Sequence, residues 1–270
     1  MSTIKSFDRT ELFYTKDVPE NVKAVIVVVH GLCEHLGRYD YVTNKINEYG
    51  YGVYRFDNRG HGKSGGDRGY VDNFKDFMLD TDKIVDLAIK ENPDKPIFML
   101  GHSMGGYITA AYGVMYKNKL KGQVLSGAAI IDLPIFSDLK ESREFESNPR
   151  GKSPNALSKL ICRDEEVVKD YEEDPLVLKE TNLKLLGEVF VNGSSWLTQN
   201  MKEYEYPCYI LHGGNDQIVT NKSSKWMYDN INSSDKTIKI YDECYHEILN
   251  EKEEKDIVIE DIHKWIENRL

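Results

Sequence analysis

Six short runs rich in Val, Ile and Tyr alternate with segments of helical periodicity, and this alternation narrows the folds open to the chain. The runs lie at 23–29, 51–56, 97–100, 123–129, 208–211 and 237–241. The first reads KAVIVVV and is almost continuously apolar, as a strand covered on both faces must be. Helices are expected at 39–49, ending at Gly50 as a C-terminal cap, and at 73–90, 104–116, 223–230 and 255–268. Alternating strands and helices predict an α/β protein with a mostly parallel sheet and helices on both faces. Residues 3–7 and 12–15 flank Asp8-Arg9-Thr10-Glu11 and predict an antiparallel hairpin at the sheet edge. The alternation breaks over 132–206, where short helical pieces and charges replace strands. This stretch is expected to be a helical cap inserted over the C-terminal edge of the sheet, within one domain spanning 1–270.

A second feature points to chemistry. Gly101-His102-Ser103-Met104-Gly105 follows the run 97–100 and opens a helix. G-x-S-x-G is weak by itself, but strand–turn–helix is the context that a nucleophile elbow requires. There Ser103 would project its hydroxyl above the sheet, while the helix N-terminus faces developing negative charge. A serine hydroxyl is a poor nucleophile without a base, and in this architecture the acid and then the histidine follow it in the chain. His246 lies in the loop after the last strand run, whereas His263 falls inside the final helix, where packing is its expected role. Asp216 stands just beyond the run 208–211 and is expected to orient His246; Asp242 is the rival, only four residues before the histidine. The oxyanion donors are expected to be the backbone N–H of Met104 and that of Leu32, in the loop after the first central strand.

Composition restricts the partners. Net charge is −10, from 35 basic and 45 acidic residues, so binding to nucleic acid through counterion release is excluded as a main role. Cys33, Cys162, Cys208 and Cys244 are scattered without CxxC spacing, which argues against a zinc site or a disulfide framework. Cys33, with no base assigned to it, is read as a passive neighbour of the oxyanion loop. No metal and no cofactor are expected. The N-terminal segment has no apolar signal core, so a cytoplasmic protein with free thiols is expected, and the sequons at Asn192, Asn221 and Asn232 are read as chance. The acidic stretch 251–256 is expected to be a solvated first helical turn.

Taken together these residues resemble the monoacylglycerol lipase and lysophospholipase family of α/β-hydrolases. His30-Gly31-Leu32-Cys33-Glu34-His35-Leu36-Gly37-Arg38-Tyr39 resembles the family's HGxxEHxxRY loop. Asp57-Asn58-Arg59-Gly60-His61-Gly62-Lys63-Ser64-Gly65-Gly66 is similar to its second glycine-rich loop, and Gly101 to Gly106 match its elbow. Asp174-Pro175-Leu176 resembles part of its cap, and the segment from Asp235 to Glu247 its tail. The resemblance implies the α/β-hydrolase fold and a serine hydrolase with Ser103, Asp216 and His246 as catalytic residues. It also implies a lipid acyl ester as substrate, commonly a monoacylglycerol, and a cap that forms the acyl tunnel. Glu34 and Arg38 occupy the positions with which the family contacts glycerol, and a plain loop-stabilising ion pair is the alternative for them. Two departures stand out: Cys33 where a small residue such as Gly is usual, and Leu249 where mammalian members carry a second histidine.

The insertion carries Leu157, Leu160, Ile161, Leu183, Leu186, Phe190, Trp196 and Leu197 at helical spacing. Packing onto the sheet accounts for any one of them; with an ester site beneath, Leu186 and Phe190 are expected to line the acyl tunnel. Tyr171 is a candidate for the alcohol end. Membrane contact is expected to be at most transient, because no basic amphipathic helix is present. A lysophospholipase, a short-chain or cinnamoyl esterase, and a ligand-binding receptor on the same scaffold remain the competing readings.

Overall fold

The structure is a computed structural model, and it describes residues 2–270. Eight strands form one sheet in the order β1-β2-β4-β3-β5-β6-β9-β10. Strands β1 (Ser2–Lys5) and β2 (Glu11–Asp17) make the expected hairpin at one edge, and β2 runs antiparallel to β4 (Tyr51–Phe56). From β4 across β3 (Ala24–Val29), β5 (Ile97–His102), β6 (Gly122–Ser126), β9 (Cys208–Gly213) and β10 (Lys236–Tyr241), every pairing is parallel.

The continuous apolar character of β3 has a direct physical cause. Val25, Val27 and Val29 face one core, with α2 (Lys75–Glu91) and α3 (Met104–Met115). Ala24, Ile26 and Val28 face the other, with α1 (Asp40–Glu48) and α11 (Lys255–Glu267). Both faces are dry, so no polar alternation survives along the strand. Gly50 terminates α1 in the left-handed region at φ 88°, which a side chain would disfavour. After β3 the chain returns to β4 on one side, and after β4 it crosses to β5 on the other. The carboxyl ends of β3 and β5 therefore diverge at a switch point, where open α/β sheets place their ligand sites.

Between β6 and β9 the chain leaves the sheet. It runs through α4 (Ser137–Ser142), α5 (Glu144–Ser147), α6 (Ser158–Ile161), α7 (Glu165–Glu173), α8 (Leu183–Gly187) and α9 (Ser194–Asn200), before α10 (Lys222–Asn230) follows β9. A π-helical stretch, Glu188–Gly193, joins α8 to α9. Leu185, Leu186, Val189, Phe190 and Leu197 pack into the same core as α2 and α3, anchoring this segment to the sheet. One feature differs from the sequence expectation: a small antiparallel ribbon, β7 (Lys152–Pro154) with β8 (Glu180–Asn182), lies where no strand was expected. Strands of three residues, KSP and ETN, are too short to carry an alternation to read. The stretch 251–256 is corrected as well. Helix α11 begins at Lys255, and Glu251 is buried rather than solvated.

Candidate active site

Ser103 sits between the end of β5 and the first turn of α3, with φ 56° and ψ −117°. Such a backbone costs about 1–3 kcal/mol and persists only where its surroundings enforce it. Here the glycines of the motif do so. A side chain at Gly101 would run into Thr109 and the Gly105 backbone, and one at Gly105 into the carbonyl oxygens of Val29 and His30. The turn is as tight as backbone contact permits. Ser103 N–H donates to Ser126 O at 2.9 Å, tying the elbow to β6.

Asp216 and His246 meet at the same edge. Asp216 Oδ2 lies 2.6 Å from His246 Nδ1 and 3.0 Å from His212 Nε2. Its Oδ1 accepts the backbone N–H groups of Ile218 and Val219, both at 2.9 Å. Burial would raise this carboxyl, but the facing His246 and His212 hold it well below the ordinary carboxylate range. Conversely, burial depresses His246, and the Asp216 carboxylate outweighs that and lifts it above the ordinary histidine value. The two loops come together because Gly213 and Gly214 have no side chains. A Cβ at Gly213 would collide with the carbonyls of Tyr245 and Cys244, and one at Gly214 with the Asp242 backbone. The amides of Gly214 and Asn215 then donate to Tyr241 O and Cys244 O at 2.8 and 3.0 Å. Asp242 is exposed on the turn after β10, so the rival acid faces solvent. His263 packs against Tyr49 and Tyr51, away from this site.

The imidazole of His246 lies beside the elbow. The ring of His102, the residue before Ser103, packs on it at 4.6 Å between centroids. Among the described hydrogen bonds none joins Ser103 Oγ to the imidazole, whose Nδ1 is taken by Asp216. Ligand-free hydrolytic sites are often slack at this bond and tighten on the substrate. His102 was not singled out from the sequence. Burial and the neighbouring His246 push it down to about 4, so it is neutral at physiological pH.

Met104 follows Ser103 at the start of α3, and Leu32 follows Gly31 in the loop after β3. A Cβ placed on Gly31 would lie 3.2 Å from Ser103 Cβ, which shows how closely the loop after β3 approaches the elbow. Neither the Leu32 nor the Met104 amide donates to a protein acceptor among the described hydrogen bonds. The loop is braced by His30, whose Nδ1–H donates to Gly31 O at 2.8 Å while Nε2 accepts the Asn58 amide at 2.9 Å. That pairing fixes a single neutral tautomer.

Glu34 and Arg38 stand differently from the glycerol-contact expectation. Glu34 is buried and accepts the Gly31 amide, the Tyr39 hydroxyl at 2.8 Å and Arg38 Nη1 at 3.0 Å. Arg38 also grips Glu247 through two parallel bonds of 2.5 and 2.8 Å. Both side chains are thus engaged by the protein, and the geometry favours the loop-bracing alternative. The sequence places Glu247 only at the end of the segment that resembles the family's tail and gives it no partner. Tyr171 is buried with its ring under Arg38, and its hydroxyl accepts from Asn155 Nδ2 at 2.7 Å, so it supports Arg38 rather than facing open space.

A cavity of about 460 Å³ opens at Leu32 and Cys33 and extends under the insertion, where Phe136, Leu157, Leu183 and Leu186 form apolar walls. Leu186 is among the residues that line it. Phe190 is corrected: it stacks behind Phe136 at 4.7 Å and lines a neighbouring depression instead. Cys33 is buried in its wall, and burial together with Glu34 pushes its thiol up to about 12, which leaves it protonated and unreactive. Among the described residues no group of side chains could hold a metal ion.

Comparison with known proteins places this geometry. The family profile described as Serine aminopeptidase, S33 matches residues 20–253. A monoacylglycerol lipase of Mycolicibacterium smegmatis is 32% identical over 253 residues, covering 92% of this chain and 89% of that protein. The monoglyceride lipase of Mus musculus is 31% identical, covering 92% of this chain and 84% of its own. The crystal structure of a monoacylglycerol lipase from Paleococcus ferrophilus superposes with a TM-score of 0.84 at 32% identity, over 96% of this chain and all of that one. By its fold, its elbow and these relatives, the chain belongs to the monoacylglycerol lipase family of α/β-hydrolases and is a carboxylic ester hydrolase.

Proposed function

We propose that this enzyme hydrolyses monoacylglycerols through an acyl-enzyme formed on Ser103. The observation that carries the reading is the 2.6 Å bond between Asp216 and His246 at the sheet edge where Ser103 stands in its strained turn. His246 Nε2 takes the hydroxyl proton as Ser103 Oγ attacks the ester carbonyl. Asp216 keeps the tautomer with hydrogen on Nδ1 and stabilises the imidazolium that forms. The Leu32 and Met104 amides hold the oxyanion, an interaction worth on the order of 10²–10³ in turnover per donor. His246 then returns the proton to the departing glycerol oxygen. A water, deprotonated by the same imidazole, releases the fatty acid and restores the serine. No cofactor takes part.

The segment 132–206 serves as the cap, and the acyl chain occupies the cavity beneath it. Each methylene buried there contributes about 0.8 kcal/mol, which favours medium and long chains over acetyl or cinnamoyl groups. Among the described residues no helix is long and apolar enough to cross a membrane, and contact with lipid is at most transient, through the cap. The four free, buried cysteines accord with a cytoplasmic setting.

The test is hydrolysis of monoacylglycerols, lysophospholipids, triacylglycerols and short-chain esters side by side, with wild type and Ser103→Ala. Monoacylglycerols should give the highest kcat/KM, and Ser103→Ala should abolish turnover of all four. Faster turnover of lysophospholipids or short-chain esters would reassign the substrate. Ligand binding without turnover would point to a receptor.

A further inference from the structure

The loop carrying His246 is held from outside the sheet. The amide just before the histidine, Tyr245 N–H, donates to Glu251 Oε1 at 2.7 Å. Glu251 Oε2 is in turn gripped by Arg163 Nε at 2.9 Å, and Arg163 belongs to the cap. The amide just after the histidine, Glu247 N–H, donates to the carbonyl of Ile161 at 2.7 Å, two residues from Arg163. Between them, Cys162 Sγ lies 3.4 Å from Asn250 O. Three consecutive cap residues therefore bracket the histidine on both sides. Glu251 is 1% exposed, so its charge is out of water and depends on these partners. A buried carboxylate with one fixed cation and one fixed amide has a single orientation, and it transmits that orientation to the backbone it binds.

Resting on the triad reading above, we infer that Arg163 and Glu251 are positioning residues that couple the place of the cap to the place of the catalytic imidazole. The cap then does more than enclose the acyl chain. When its 161–163 segment is seated, the backbone on both sides of His246 is fixed and the imidazole is held beside the elbow; when it lifts, the histidine loop loses the Ile161 and Cys162 contacts together. Arg163 also contacts Glu254 at 2.6 Å, a carboxylate with no bond to the histidine loop, which supplies an internal control.

The experiment compares wild type with Arg163→Met, Arg163→Lys, Glu251→Gln, the Arg163→Met/Glu251→Gln double variant, Glu254→Gln and Ser103→Ala. Each is assayed on p-nitrophenyl acetate, which does not need the acyl cavity, and on a long-chain monoacylglycerol; the rate of fluorophosphonate labelling of Ser103 is followed as well. Arg163→Met and Glu251→Gln should each lower kcat about tenfold on both esters with KM within twofold, and slow labelling by a similar factor. The double variant should be no worse than either single one, Arg163→Lys should recover part of the loss, and Glu254→Gln should match wild type. Should Glu251→Gln fail to fold, the half-exposed Arg163 variants still decide the matter. A change confined to KM for the long ester, or a Glu254→Gln effect equal to that of Arg163→Met, would overturn the coupling and leave the pair as a cap fastener. Ser103→Ala separates the two levels. Hydrolysis by that variant at close to the wild-type rate removes the catalytic reading of Ser103 itself, whereas a Ser103→Ala variant slowed by several orders of magnitude beside an unaffected Arg163→Met removes only the coupling.

Discussion

Arg38 and Glu247 are joined by two parallel N–H···O bonds of 2.5 and 2.8 Å, so the loop after β3 is fastened to the loop of His246 one residue from the imidazole. Glu34 closes the same network onto the Gly31 amide. Burial would raise the Glu247 carboxyl, and the Arg38 guanidinium instead holds it well below the usual carboxylate range. Replacing Arg38 with Met strands two buried carboxylates. Loss of one partner of a buried pair costs about 3–5 kcal/mol, so urea denaturation of Arg38→Met should show a stability loss of that order, with kcat reduced more than KM is raised. Arg38→Met/Glu247→Leu should recover much of the stability and little of the activity. An Arg38→Met protein within 1 kcal/mol of wild type would contradict the network.

Four buried histidines give opposing contributions to the pH dependence of stability. His61 is pushed down to about 3 and His102 to about 4, and His30 is lowered too, in each case by burial first. The unfolded chain takes up these protons below the ordinary histidine value while the folded protein does not. Their stabilisation is therefore present near neutrality and is lost as the pH falls from about 6.5 toward 4, by a few kcal/mol in sum. His246 has the reverse sign: its folded value is raised, so its contribution is full below the ordinary value and fades as pH rises through the folded one. Urea midpoints at pH 7.5, 6 and 5 should fall steadily. A midpoint that rises on acidification would contradict the burial of the three neutral rings.

Activity should follow His246 alone on the acid side. Only the neutral imidazole can accept the Ser103 proton, so kcat/KM should decline with an apparent pKa above the ordinary histidine value of about 6.5. A pH–rate profile on a short ester reads this directly. A profile flat down to pH 5 would exclude His246 as the general base.

Thiol reagents should leave the enzyme active. Cys33, Cys162, Cys208 and Cys244 are all buried, and burial is the leading cause that pushes each thiol up to about 12. Incubation with N-ethylmaleimide at pH 7.5, followed by assay and mass spectrometry, should show full activity and no adduct over an hour. Rapid inactivation by labelling at Cys33 would mean that the cavity wall beside Leu32 is open to solvent.

Chain-length preference should respond to Leu186, which forms a wall of the cavity. Leu186→Phe narrows it. If two or three methylenes are displaced at about 0.8 kcal/mol each, kcat/KM for long-chain monoacylglycerols should drop about 15- to 60-fold, while p-nitrophenyl acetate is unaffected. Equal losses on both esters would show that the side chain acts on the catalytic groups instead.

What the sequence by itself determined is what local chemistry enforces. Unbroken apolar runs such as AVIVVV require a sheet covered on both faces, and the six runs with their intervening helices fall where expected. Gly101 and Gly105 enforce the elbow because backbone oxygens occupy the space of their side chains, and Asp216 could be preferred to Asp242 from its place after β9. Tertiary structure decided the rest, because the deciding partners lie far along the chain. Glu34 and Arg38 read equally as substrate contacts or braces until Glu247, more than two hundred residues away, proved to be the partner of Arg38. Glu251 belongs by composition to a solvated acidic turn, yet the fold buries it between Tyr245 and Arg163. Phe190 and Leu186 share one helical pattern, and only the packing of Phe136 against Phe190 determines which of them reaches the cavity. Periodicity reports which face of an element is dry; it holds no information about which distant charge or ring that face will meet.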